Sequence, residues 1–369
     1  MKKRDSGIEL LRIIAMIMII GIHLFYYGDF YSTVTEAGGK VAAVATLIRI
    51  ASRPCVNLFI IISGYFMSKS SFDLKKSCER TMDVYIKIMI YSVSLTVICL
   101  IIGGRACVYG GGKAPLWLML AKMVFPLTSQ TWYFLSNYIL LCLLAPFINI
   151  VIQKITKKQY QFLLAVLTVV FSLWVSFDYI EPFSEWIRLF GYESMPNGKN
   201  IASFIYIYLI GGYIRFHGRE RTKPNYVYIV GAGLVVITDF YLYTRGYIPS
   251  LFAINYSSPF VILYTVLLFL FFKDLHFKSS IVNTVASTTL GVYAIHEFYG
   301  IRNILWDCFD FSKIELNGII PVYAKVFGVI ILVFFVGAVI DLAVSKLYGF
   351  TKKKLVEIIK RRKDKRIAI

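Results

Sequence analysis

The sequence predicts an all-α, polytopic integral membrane protein of about ten transmembrane helices, with both termini cytoplasmic. Three observations predict it. Hydrophobic residues make up 58% of the 369 residues and charged residues 17%, whereas soluble domains hold about 45–50% and about 25%; the mean hydropathy is +0.67. Ten apolar runs approach the roughly 20 residues that a helix needs to cross about 30 Å of hydrocarbon. The 40 Lys and Arg residues lie mostly between these runs, with a strong bias to alternate segments. The net charge of +19 would also suit a nucleic-acid binder, but its placement argues otherwise. Basic residues cluster in short stretches and in the tail from Lys346 to Arg366, where they meet anionic lipid headgroups. Aromatic and basic residues do not interleave outside the apolar runs as they do in single-strand binders. Membrane lipids are therefore expected partners and nucleic acid is not.

The first run, 8–28, follows Met1-Lys2-Lys3-Arg4 in the manner of a signal peptide. It lacks a small-x-small cleavage site and stays apolar to Tyr27, so it reads as a retained first span. The second, 42–67, contains Pro54, which removes a backbone donor and kinks or breaks the helix. The third and fourth, 82–102 and 132–152, flank the segment 115–131, whose Trp117, Met119, Met123 and Phe125 suit an interfacial helix. The fifth and sixth, 160–177 and 200–216, enclose an acidic, aromatic loop with Asp178, Glu181, Glu185, Trp186 and Glu193. The seventh and eighth are 226–243 and 255–272. The ninth, 281–298, is polar on one side through Asn283, Thr284, Ser287, Thr288 and Thr289, which implies burial in the bundle or a water-filled cavity. The tenth, 319–345, closes a membrane domain of residues 1–345, and a basic cytoplasmic tail of 346–369 follows.

With the N-terminus inside, inner segments collect 26 Lys and Arg and outer segments eight. Positive residues favour the cytoplasmic side, so this split places both termini inside, in a multi-pass protein of a plasma membrane. The six cysteines show no CxxC and no metal-type spacing. Cys107 and Cys308 are placed where both can face outward and pair.

Ionisable residues inside these spans need a reason, since a central Arg costs about 2.5–3.5 kcal/mol on insertion scales. Arg12 and His23 lie eleven residues apart in the first span, on one helix face and roughly 16 Å apart along it. One face thus carries a cation toward the inside and a titratable base toward the outside. Helix-end snorkelling of Arg12 and interfacial placement of His23 are the plainer readings. Arg53 lies deep in the second span beside Pro54, and a broken helix with an adjacent cation suits an anionic or carbonyl group. Trp132 opens the fourth span as an aromatic-belt residue or a substrate contact. His296 and Glu297 close the ninth span at a depth like that of His23. Two histidines at one depth suggest a metal, but no third ligand stands out and none is assigned. The His–Glu pair equally suits control of a tautomer for proton transfer.

Arg12 with His23, Arg53 ahead of Ser63-Gly64-Tyr65-Phe66, Thr131-Trp132-Tyr133-Phe134-Leu135, Leu209-Ile210-Gly211-Gly212-Tyr213 and Gly291-Val292-Tyr293-Ala294-Ile295-His296 together resemble the membrane acyltransferase-3 family. The resemblance runs from about residue 7 to 345. It implies about ten helices and transfer of an acyl group, usually acetyl. The donor it implies is acyl-CoA on the cytoplasmic side, and the acceptor a hydroxyl of an extracytoplasmic or lipid-linked glycan of a bacterial cell envelope. It points to Arg12, His23 and Arg53 as catalytic residues and to Arg80 as a contact for the acetyl-CoA cofactor, with no metal. Trp132, His296 and Glu297 are the expected substrate contacts. One departure stands out. Many members carry Arg-x-x-Arg at the start of the third span, and here Arg80 is followed by Asp83. Ten spans with buried charges also suit a secondary transporter or flippase for an anionic substrate, although no repeat symmetry is visible.

Overall fold

Asp5 starts the first helix. Its carboxylate accepts a hydrogen bond from Gly7 N at 3.0 Å, filling a donor that has no partner inside the helix. The computed structural model describes residues 5–107, 115–127, 132–177, 198–222 and 224–367, and among them the chain is helical without any strand. The helices are α1 (Ser6–Tyr27), α2 (Phe30–Ala37), α3 (Gly39–Ala51), α4 (Cys55–Met67), α5 (Leu74–Gly103) and α6 (Leu116–Val124). They continue as α7 (Tyr133–Lys154), α8 (Lys157–Thr168), α9 (Val175–Phe177), α10 (Ile201–His217), α11 (Tyr226–Thr244) and α12 (Ser250–Ile254). The last are α13 (Pro259–Lys273), α14 (Ser280–Ala286), α15 (Thr289–His296), α16 (Tyr299–Cys308) and α17 (Ile319–Ile367).

α1 is the central helix. Leu11, Ala15, Ile20 and Leu24 on it are fully buried, and it packs against α4, α13, α14, α15 and α17. α11 lies at the periphery and leaves Val227, Val230, Leu234 and Ile237 exposed, as a helix facing lipid should. Among the described residues, seven helical segments are long and apolar enough to cross a membrane: 6–27, 39–67, 74–103, 133–154, 226–244, 252–273 and 319–354. Ile201–His217 is a shorter apolar helix.

Of the ten expected spans, three are not matched by these segments: 160–177, 200–216 and 281–298. The local structure accounts for the breaks. Residues 39–67 form two helices separated by a turn at Ser52–Pro54, as Pro54 demands. Residues 157–177 are helical but switch to a π-helix over Val169–Trp174. The ninth run is broken at Ser287 and Thr288, leaving two short helices, α14 and α15. Ser and Thr hydroxyls there bond back to local carbonyls, Ser287 to Thr284 and Thr288 to Val285, which offers the backbone an alternative to a continuous helix. The basic tail continues α17 without a break at residue 345. The expected interfacial segment forms α6, with Trp117 exposed and Met119 buried. The acidic loop lies outside the described residues over 178–197. The thiol of Cys107 meets that of Cys99, and all six cysteines are free.

α4 and α10 approach closely because both present glycine. A Cβ on Gly64 would strike the Tyr208 carbonyl, and one on Gly211 the Ile61 carbonyl. Small residues permit this contact in lipid, where helices associate by packing rather than by escape from water. Gly211→Ala is expected to cost about 1–3 kcal/mol through overpacking, read as a lower melting temperature of the detergent-solubilised protein.

A buried ionic cluster ties α5 to α17. Lys87 Nζ lies 2.7 Å from Asp341 Oδ1, Tyr91 OH donates to the same oxygen at 2.5 Å, and Ser345 donates to Oδ2 at 3.1 Å. Gly291 on α15 rests against this cluster, since a Cβ there would overlap Asp341. The first turn of α15 is thereby held against α17, which sets the position of His296 one and a half turns later.

Candidate active site

At the far end of α1 from Arg12, three side chains converge. His23 Nδ1 is 3.0 Å from His296 Nε2 and 3.0 Å from Glu297 Oε2. His296 Nδ1 lies 2.5 Å from the Val292 carbonyl. A carbonyl only accepts, so His296 carries its proton on Nδ1, and its neutral Nε2 must accept. His23 therefore holds its proton on Nδ1 and donates it to His296. That tautomer leaves His23 Nε2 with its lone pair, a base whose orientation is set from behind. Glu297 lies beside the same ring and stabilises a positive charge on it.

Glu297 is itself held. Arg302 Nη1 donates to Glu297 Oε1 at 3.1 Å and to Tyr27 OH at 3.1 Å, and the guanidinium sits 4.3 Å over the Tyr27 ring. Tyr27 follows His23 by four residues, so both lie on one face of α1. Arg302, Lys199 and Arg53 are the cations whose charges act on His23. Arg53 stands in the turn made by Pro54, with its guanidinium 6.0 Å from the Tyr256 ring. Tyr256 is fixed by Asn57, whose side chain donates to its carbonyl at 2.8 Å. Tyr256 in turn meets Tyr133, and Lys199 Nζ lies 5.1 Å from the Tyr133 ring.

Two adjoining cavities lie toward the Arg12 end of α1. The wider, about 640 Å³, is lined by Lys69, Lys76, Arg80 and Arg215 against one carboxylate, Asp73. That carboxylate is occupied in capping α5, accepting from Lys76 N at 2.9 Å. The narrower cavity, about 230 Å³, shares Val84 and Tyr138 with the first and runs past Arg12, Ser63 and Phe134 to Tyr293. The Tyr293 ring stands edge-on, 6.0 Å from the His296 ring, and its buried hydroxyl has no hydrogen-bond partner among the described residues. The basic cavity thus adjoins a narrower one that passes Arg12 and Met16 of α1 and ends at Tyr293, whose ring lies beside His296.

A model of the acyltransferase-3 family, an acyltransferase domain, matches residues 5–340. The chain belongs to this family. A search of curated proteins and one of solved structures returned no match. This acyltransferase-3 chain is thus a multi-pass membrane acyltransferase, and the arrangement around α1 is where its chemistry is sought. The structure brings His23, His296 and Glu297 into direct contact and sets Arg53 among the cations that act on them. Arg12 instead lines the narrow cavity and pairs with Glu9 at 3.5 Å, and Arg80 lines the basic mouth. Trp132 is fully buried, its ring 5.7 Å from Phe298, so it packs beneath the Glu297 turn. Asp83, the family departure, faces away from the mouth and binds Lys352 of the tail at 2.5 Å.

Sequence reasoning missed Arg302, Lys199, Tyr27 and Tyr293 around the base, and Lys69, Lys76 and Arg215 around the mouth. Tyr27 had a local signal in its i+4 spacing from His23, and Tyr293 in the motif that ends at His296. The third donor that the sequence reading did not find for a metal is Glu297: ligand atoms of His23, His296 and Glu297 lie within 4.8 Å of one another. Such a set also suits a divalent ion, but the His23–His296 hydrogen bond engages the two nitrogens with each other.

Proposed function

We propose that this chain is an O-acetyltransferase of a bacterial plasma membrane. It takes the acetyl group from cytoplasmic acetyl-CoA and passes it to a hydroxyl of an extracytoplasmic or lipid-linked cell-envelope glycan. The observation that carries this reading is the lone pair left on His23 Nε2, together with a cavity lined by four cations that adjoins a narrower one reaching Tyr293 beside His296. The mouth suits the phosphates of CoA, which bind Arg and Lys through charge-assisted hydrogen bonds. The neck past Arg12 and Tyr138 suits an extended pantetheine arm, with both termini and the basic mouth on the cytoplasmic side.

In the reaction, His23 Nε2 takes the proton of the acceptor hydroxyl as its oxygen attacks the thioester carbonyl. The ring becomes cationic and is stabilised by Glu297, which Arg302 holds in place. Arg53 offsets the negative charge that develops on the carbonyl oxygen. The C–S bond then breaks, and the thiolate leaves with the proton from His23 as free CoA, while the acyl–oxygen bond remains on the acceptor. His296 does not exchange its proton in this scheme; it fixes the His23 tautomer.

The test is transfer of radiolabelled acetyl from acetyl-CoA by the protein in nanodiscs presented with envelope glycan fractions. His23-dependent label on glycan or water supports the reading. Absence of CoA binding overturns it in favour of the transporter reading. Extensive chelation with EDTA is expected to leave turnover unchanged. Loss of activity that zinc restores would place an ion, rather than a proton, between His23, His296 and Glu297.

A further inference from the structure

Five cations in the described residues have a carboxylate partner: Arg12 with Glu9, Lys87 with Asp341, Lys273 with Asp274, Arg302 with Glu297 and Lys352 with Asp83. Arg53 and Lys199 have none among the described residues. They repel one another and both act on His23, and the carboxylate that acts on Lys199, Glu297, is already paired with Arg302. Two like charges held together beside a base raise the energy of the empty site, and an incoming anion recovers it. Burial strengthens the demand, because the Nε of Arg53, whose side chain also bonds Tyr256, is shielded from solvent and has no hydrogen-bond partner among the described residues.

The transferred acetyl group accounts for only one of these charges. The oxyanion formed at its carbonyl is a transient single negative charge, and Arg53, set in the Pro54 turn, suits it. Arg302 is already neutralised by Glu297. Lys199 remains, exposed, its ammonium 5.1 Å from the centre of the Tyr133 ring. An exposed ammonium beside a tyrosine ring suits a sugar that carries a fixed anion: the sugar packs on the aromatic face and the anion meets the ammonium.

We infer that the acceptor is an anionic glycan, bound so that a phosphate or carboxylate on the sugar chain meets Lys199 while a neighbouring hydroxyl reaches His23 Nε2. This rests on the acetyltransferase reading for the hydroxyl and on the Arg53–Lys199 juxtaposition for the anion. Glycans bearing phosphodiesters and glycans bearing uronate carboxylates present the same charge, and the two are separated by experiment.

Wild-type protein in nanodiscs is first saturated with CoA to occupy the basic mouth. At one fixed ionic strength, dissociation constants are then measured for a glycerol-phosphate oligomer, an oligogalacturonate and the neutral chitotriose. At least one anionic probe is expected to bind tenfold or more tightly than chitotriose. Lys199→Gln should erase that preference, and Lys69→Gln/Lys76→Gln should not. The tighter anionic probe names the group. Equal binding of neutral and anionic probes, no binding of either, or a preference that survives Lys199→Gln overturns the inference. The two readings fail separately. Acetyl transfer to glycan without any anionic preference removes this inference alone. A Lys199-dependent anionic preference in a protein that transfers no acetyl group removes the enzymatic reading alone.

Discussion

His23→Ala is expected to lower kcat for acetyl transfer by about 10²- to 10⁴-fold, the range that a positioned general base supplies. The affinity for CoA should stay as in wild type, because the basic mouth lies some three helical turns away along α1. The same separation predicts a graded series behind the base. His296 fixes which His23 nitrogen is protonated and Glu297 stabilises the cationic ring. Replacing either should therefore depress kcat without raising KM for the donor. His296→Gln can still accept from His23 Nδ1 through its amide oxygen and should retain more activity than His296→Ala. Steady-state kinetics with acetyl-CoA, alongside CoA binding by flow dialysis, reads both parameters. Wild-type turnover in His23→Ala removes this residue from the mechanism.

The second large effect is expected at the opposite end. Lys69, Lys76, Arg80 and Arg215 surround the 640 Å³ cavity, and its mouth is open enough for solvent to weaken each contact. A charge-assisted hydrogen bond to phosphate is worth about 1.5–3 kcal/mol when sheltered and about 1 kcal/mol or less when exposed. Lys76→Gln/Arg80→Gln should thus raise KM for acetyl-CoA roughly 10- to 100-fold with kcat nearly unchanged. The effect should shrink as ionic strength rises, since salt screens the wild-type contacts too. Dephospho-CoA, which lacks one phosphate, should lose less affinity in the variant than CoA does. A fall in kcat at unchanged KM would mean that these cations act on the transition state and that donor binding lies elsewhere. Arg215 is a less clean target because it also holds Tyr65 through a 3.0 Å hydrogen bond.

Much of this was legible in the chain. Composition and the length of the apolar runs implied a helical membrane protein, and the Arg12–His23 spacing placed a cation and a base on one face of one helix. Pro54 announced the turn that carries Arg53. His296 and Glu297 stood out because ionisable groups closing an apolar run are costly. The break at Ser287–Thr288 was written less clearly: hydroxyl residues on one side of a helix and hydroxyl residues that interrupt it look alike in a one-dimensional pattern. Arg302 read as an outer-loop charge, since nothing in its local sequence shows that the chain folds back onto Tyr27. Lys69, Lys76 and Arg215 likewise read as topology signals, although they also line a cavity.

By itself, then, the sequence determined which segments enter lipid, which residues there are too expensive to be incidental, and the family to which the chain belongs. Those properties are local: transfer free energy and helical periodicity act on neighbours within a few turns. The tertiary structure alone decided that His23 donates to His296, that Arg302 secures Glu297, and that Arg53 and Lys199 both act on His23 with no ion-pair partner of their own among the described residues. Those relations join residues up to 273 positions apart. They exist only because α15, gripped through Gly291 by the Lys87–Asp341 pair, is brought alongside α1 at the depth of His23.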